Sequence, residues 1–146
     1  MTAPLHQGQC LCGDVRFSVR GPLAPIQVCH CSQCRRAQGT PFATNLPVAR
    51  SAFALLAGAD RLTRYESSPG KWRVFCKRCG APVYSERSAN PAVLRLRAGL
   101  LDEPLASRVG LHQQVASACA WWPAPGEPLR AEDLAVPRHD GMPPAG

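Results

Sequence analysis

Apolar and polar residues alternate along this chain in short stretches, and long helical periodicity is scarce. Val15-Arg16-Phe17-Ser18-Val19 alternates strictly, and Val93-Leu94-Arg95-Leu96-Arg97-Ala98 alternates again from Leu94 before Gly99. A period of two sends successive side chains to opposite faces, so both stretches predict half-buried strands. Trp72-Arg73-Val74-Phe75 leads into Cys76, and Pro82-Val83-Tyr84-Ser85 follows Cys79-Gly80, which reads as strand, knuckle, strand. A weaker, Ala-rich run predicts one more strand over His112–Ala120. Helix is expected only in short pieces, over Cys31–Gln38 and Ser51–Ala57. Fifteen prolines and twelve glycines punctuate the chain and suit a mainly β domain with many turns. From Pro123 onward Pro, Ala and Gly dominate, so residues 123–146 are expected to end in a loose tail.

The 146 residues have the length of one domain, 1–146, with enough chain to bury a core. No apolar run approaches the roughly 18 residues that a membrane helix needs. Met1 to Gln9 has neither a basic start nor an apolar core, so no signal peptide is expected and the chain reads as cytoplasmic. That reading decides how the eight cysteines are understood. In a secreted chain they would suggest disulfides; in a cytosolic one, the spacings below suggest zinc.

Seven of the eight cysteines fall into Cys10-x-Cys12, Cys29-His30-Cys31-x-x-Cys34 and Cys76-x-x-Cys79. These spacings bring neighbouring thiolates within reach of one ion. Cys79 and Cys12 are each followed by glycine, which suits a tight turn. Neither outer pair fills a tetrahedron alone, so pairing Cys10 and Cys12 with Cys76 and Cys79 makes one closed, structural site. The middle triplet keeps three ligands and an open position, the mark of a catalytic zinc. Two Zn2+ per chain are therefore expected. His30, between two coordinating cysteines in extended backbone, is expected to point away from the ion. Arg35 and Arg36 follow the triplet and would offset its charge or hold a substrate carboxylate bidentately; a solvated surface role is the alternative.

The formal charge is +7. Seven thiolates add seven negative charges and two Zn2+ add four positive, which leaves about +4 and weakens any pull toward nucleic acid. Arginine supplies nearly all the positive charge, lysine only Lys71 and Lys77, so a small anionic ligand is one reading, beside a solvated basic surface that accounts for most of these residues.

Gly8-x-Cys10-x-Cys12-Gly13-x-Val15-x-Phe17 and Cys29-His30-Cys31-x-x-Cys34-Arg35-Arg36-x-x-Gly39 together resemble the glutathione-dependent formaldehyde-activating enzyme (GFA) family, which takes in centromere protein V. The likeness continues through Leu62-x-x-Tyr65-x-Ser67-Ser68, Arg73-x-Phe75-Cys76-x-x-Cys79-Gly80 and Gly99-x-Leu101-Asp102-x-Pro104, and covers roughly residues 8–122. The resemblance implies a zinc-pinned, β-tent-like domain. Cys10, Cys12, Cys76 and Cys79 would hold the structural ion, and Cys29, Cys31 and Cys34 the catalytic one, with Arg35 beside it. It also implies a carbon–sulfur lyase that joins glutathione, as co-substrate, to formaldehyde as S-hydroxymethylglutathione. The ion would either favour the substrate thiolate or polarise the aldehyde carbonyl.

Two other readings stand beside this one. An enzyme of the same fold would act on another thiol or aldehyde, and a non-catalytic zinc module would bind nucleic acid or protein. A homo-oligomer is compatible with both. Cys119 reads as a small buried residue, a pocket thiol or a fourth ligand. Trp121 and Trp122 read as packing, and His112 as a buried hydrogen-bonded histidine or a proton shuttle.

Overall fold

A computed structural model describes residues 2–122, so the tail expected over 123–146 lies outside the described residues. Among these residues the chain is mainly β with one short α-helix. Its order is β1 (Leu5–Gln9), β2 (Arg16–Arg20), β3 (Ile26–Cys29), α1 (Ser32–Gln38), β4 (Ala43–Ala49), β5 (Phe53–Ala57), β6 (Leu62–Ser68), β7 (Lys71–Cys76), β8 (Pro82–Arg87), β9 (Asn90–Arg97) and β10 (Val109–Gln113). Two sheets result. The smaller runs β1-β2-β5; the larger runs β10-β3-β4-β9-β8-β7-β6, antiparallel except where β10 lies parallel to β3.

The alternation seen in the sequence builds the core. Phe17 and Val19 of β2 meet Leu46 and Val48 of β4, Val83 of β8 and Leu96 of β9 between the sheets, with Val15 and Leu101 closing the edges. Phe17, Leu46, Val83 and Leu96 are wholly buried. Removing such side chains from water supplies roughly 1.5–3 kcal/mol each, which holds the sheets face to face.

The strands predicted over Val15–Val19, Trp72–Phe75, Pro82–Ser85 and Val93–Ala98 correspond to β2, β7, β8 and β9. The helix predicted over Cys31–Gln38 is α1, closed by Gly39 in the left-handed region. Two expectations are corrected. Ser51–Ala57 is no helix: a 3-10 turn over Arg50–Ala52 runs into β5, whose Phe53 and Leu55 pair with Val19 and Phe17. The Ala/Leu content favours helix locally, but pairing with the edge of β2 overrides that weak preference. The strand predicted over His112–Ala120 occupies Val109–Gln113 instead; Gln114 turns to φ 56° and a 3-10 turn over Val115–Ser117 follows.

One consequence of register positions the site. Residues opposite each other on neighbouring strands share a face of the sheet. Lys71 lies opposite Arg87, Arg73 opposite Ser85, Ser85 opposite Arg95, Arg97 opposite Asn45, and Cys29 opposite Gln113. With Val74, Leu94 and Leu96 turned to the core, the alternate positions gather five cations and a cysteine on the other face of the large sheet.

Candidate metal centres and the basic cleft

Cys10 and Cys12 lie on the turn from β1 to β2, and Cys76 and Cys79 on the turn from β7 to β8. Both turns are built alike. The Gly13 N–H donates to the Cys10 carbonyl at 3.1 Å, and the Gly80 N–H donates to the Cys76 carbonyl at 2.7 Å. Gly13 and Gly80 sit at φ 82° and 78°, where a side chain would be strained. The Val15 N–H donates to the Cys10 sulfur at 3.3 Å. Each knuckle thereby points its sulfurs toward the other. Asp14, just past the first knuckle, bridges Arg78 inside the second at 2.9 Å and Arg61 at 3.0 Å.

The four sulfurs all lie within 4.8 Å of one another. Cys10 and Cys12 are 3.5 Å apart, and Cys12 and Cys76 are 3.8 Å apart, though 64 residues separate the latter in sequence. Sulfurs placed about 2.3 Å from one ion in a tetrahedron stand about 3.8 Å apart, so this donor set fits a single thiolate-bound metal. Within the cluster the thiols share charge. Burial pushes Cys79 up, but N–H groups of Ala81 and Cys12 and the neighbouring thiols outweigh it and bring it to about 6. Cys12 gains a lowering hydrogen bond at Asp14, which burial and the other thiols overcome, and it rises to about 11.

The second cluster is local. Cys29 ends β3, Cys31 caps the N-terminus of α1, and Cys34 sits in its first turn; their sulfurs also lie within 4.8 Å of one another. The Cys34 N–H donates to the Cys31 sulfur at 3.3 Å. Burial raises Cys31, yet that N–H and the two flanking thiols win and hold it below the ordinary thiol value. Burial lifts Cys29 to about 11. Three converging sulfurs fit a metal whose remaining coordination faces outward.

What they face is a cleft of about 710 Å³. Lys71, Arg87 and Arg95 line it beside Asn45, Ser68, Gln113 and Gln114, with no carboxylate lining it among the described residues. Arg95 is aimed by two side-chain amides, donating to Gln27 Oε1 at 2.9 Å and Gln113 Oε1 at 3.0 Å. Arg73 and Arg97 stand buried behind the cluster: Arg73 Nη2 lies 3.9 Å from the Cys34 sulfur, and Arg97 Nη1 donates to Asn45 Oδ1. Burial, then the neighbouring Arg73 charge, depresses Lys71 and brings Arg97 down to about 10. The Lys71 charge in turn is among the causes that lower Cys31.

Arg35 lies half-buried on α1 and is not among the residues that line the cleft. The cations that line it, or stand behind it, are Lys71, Arg73, Arg87, Arg95 and Arg97. Their signal was the spacing of two in Lys71/Arg73 and Arg95/Arg97, which by itself also describes the solvated side of a strand. His30 points away from the sulfurs, as its extended backbone implied; its Nε2 lies 2.9 Å from His112 Nδ1, and Phe42 packs edge-on against its ring. Trp122 packs edge-on against Phe42, and Cys119 is buried outside both clusters. Among the described residues, no helix is long and apolar enough to cross a membrane.

Residues 5–120 match the family described as "Glutathione-dependent formaldehyde-activating enzyme". The chain is 27% identical over 81 residues to an uncharacterized lyase of Schizosaccharomyces pombe, covering 56% of this chain and 57% of that protein. It is 29% identical over 77 residues to a protein of Aspergillus flavus named as a putative glutathione-dependent formaldehyde-activating enzyme, covering 51% of this chain and 40% of that one. The chain thus spans about half the length of these curated relatives. A crystal structure of a Rhodobacter sphaeroides protein shares the fold at a TM-score of 0.57 and 26% identity, over 71% of this chain and 99% of that one.

Proposed function

The chain belongs to the glutathione-dependent formaldehyde-activating enzyme family, and from that premise we propose that it forms and breaks thiol–aldehyde adducts as a zinc-dependent carbon–sulfur lyase. The observation that carries the reading is the three-cysteine cluster at the base of a cleft lined by cations and no carboxylates. Cys10, Cys12, Cys76 and Cys79 would hold a structural zinc, and Cys29, Cys31 and Cys34 the zinc of the reaction. When bound there, that zinc supplies Lewis acidity that favours thiolate over thiol or polarises a carbonyl.

The chain's own residues do the rest. Lys71, Arg87 and Arg95 bind the carboxylates of an anionic thiol, and glutathione, with two, suits three cations. The Gln27 and Gln113 amides hold Arg95 in one orientation, which lowers the entropy cost of binding. Arg73 and Arg97 keep the cluster electropositive from behind. In the reaction the thiol sulfur bonds to the aldehyde carbon, the carbonyl π pair moves to oxygen, and the proton lost from sulfur ends on that oxygen. Formaldehyde is already electrophilic, so catalysis lies chiefly in holding a thiolate beside it; effective molarities of such arrangements reach about 10⁵–10⁸ M. Three cations line the cleft and two more stand buried behind it, and this placement supports a small anion over a nucleic-acid strand.

A thiol panel tests the reading. Exchange of formaldehyde with glutathione, cysteine, cysteamine and the dimethyl ester of glutathione is followed by exchange NMR with and without protein. Acceleration with glutathione that falls on esterification supports the proposal. Equal rates for all four, or acceleration with none, contradict it.

A further inference from the structure

A second cavity, of about 370 Å³, opens on the far side of Arg73 and Arg97 from the cysteines and shares no lining residue with the cleft. Tyr65 and Phe75 give it apolar walls, while Arg73, Arg97 and Gln38 of α1 bring polar atoms to it. Arg73 is 8% exposed and Arg97 5%. Neither guanidinium has a carboxylate partner among the described residues; the ion pairs formed join Arg50, Arg61, Arg64 and Arg78 to Asp14 and Glu86. Among the described residues, Arg73 Nη1, Arg97 Nε and Gln38 Nε2 are buried with no hydrogen-bond partner. Burying one charge without a counter-ion is costly, and here two cations share one wall. The thiols answer part of this through Arg73 Nη2, but the unpartnered donors belong to residues lining the second cavity.

We propose that this cavity is a binding site for a compact organic carboxylate with an apolar or aromatic body. The carboxylate accepts from the free N–H groups of Arg73 and Arg97, with Gln38 as a further donor, and the body packs against Tyr65 and Phe75. Charge-assisted hydrogen bonds in a largely apolar pocket are the strong kind, so the charged head decides affinity. Because Arg73 Nη2 also lies 3.9 Å from the Cys34 sulfur, occupancy of the cavity draws on a guanidinium that touches the cysteine cluster. The site lies outside the thiol–aldehyde cleft and does not depend on that reading.

The test uses the full chain and 4-fluorobenzoate, observed by ¹⁹F NMR titration, with 4-fluorobenzamide as the uncharged match. The acid is expected to bind at least about ten-fold more tightly than the amide. Ala37→Trp, which fills the cavity from the exposed surface of α1, is expected to abolish binding while leaving the thermal melt and zinc content unchanged. Arg87→Gln, in the cleft, is expected to leave it intact. Equal affinity for acid and amide, no binding of either, or loss with Arg87→Gln but not with Ala37→Trp would each overturn the proposal. Failure here leaves the thiol panel untouched, so the two readings fall separately.

Discussion

Replacing Cys76 by Ser should cost far more stability than replacing Cys31 by Ser, although each removes one sulfur from one cluster. The difference comes from the length of chain that each cluster closes. A metal clip between Cys12 and Cys76 ties residues 64 apart, whereas Cys29, Cys31 and Cys34 lie on one strand-to-helix turn. Cross-link entropy for a loop of about 64 residues is about 4 kcal/mol at 25 °C, against about 2 kcal/mol for a loop of about five. Cys10 and Cys76 are also 1% and 0% exposed inside the main core, so a serine hydroxyl there is buried among apolar groups. A domain of this size has about 5–15 kcal/mol in all. Cys76→Ser is therefore expected to lower the melting temperature by roughly 15 °C or more, or to prevent folding, and Cys31→Ser by less than half as much. Circular dichroism melts and urea titrations of zinc-loaded protein measure both. If Cys76→Ser melts within a few degrees of the parent, or Cys31→Ser proves the more damaging, the assignment of closed and open clusters is wrong.

Other consequences follow from the same geometry. Arg95→Gln removes a cation held by Gln27 and Gln113, and should raise KM for glutathione about ten-fold while changing kcat little, since a hydrogen bond to a charged group is worth about 1.5–3 kcal/mol; steady-state kinetics checks the split. Asp14→Asn loses bridges to Arg61 and Arg78, whose side chains are 42% and 58% exposed, so the melt should fall by the equivalent of about 1 kcal/mol or less. A larger loss would mean that ion pairs, rather than sulfur, fasten the two knuckles.

The knuckles were legible because their grammar is local: a cysteine, two or fewer intervening residues, a cysteine and a left-handed glycine determine the turn with little help from the rest of the chain. The pairing of the first knuckle with the last was legible by valence, since two sulfurs do not complete a tetrahedron. The basic face was not. Lys71, Arg73, Arg87, Arg95 and Arg97 come from three strands, and only the register that sets Lys71 against Arg87 and Asn45 against Arg97 gathers them. An arginine two residues from another looks the same in sequence whether water or a helix covers it. Arg35 was the opposite case: adjacent in sequence to Cys34, it lies half-buried outside the cleft lining. Ser51–Ala57 misled for a third reason, as the pairing of Phe53–Ala57 along β2 is a tertiary fact that a short Ala/Leu run does not encode.

We propose that adduct chemistry takes place at Cys29, Cys31 and Cys34. At about pH 6 an ordinary thiol of pKa about 8.5 is only about 0.3% thiolate, so uncatalysed exchange is slow. Exchange NMR of ¹³C-formaldehyde with glutathione at that pH should show acceleration by the parent protein. With Cys31→Ala, retaining one zinc and its fold, the rate should drop to background. A variant that keeps the parent rate, or a parent that never exceeds background, contradicts the account.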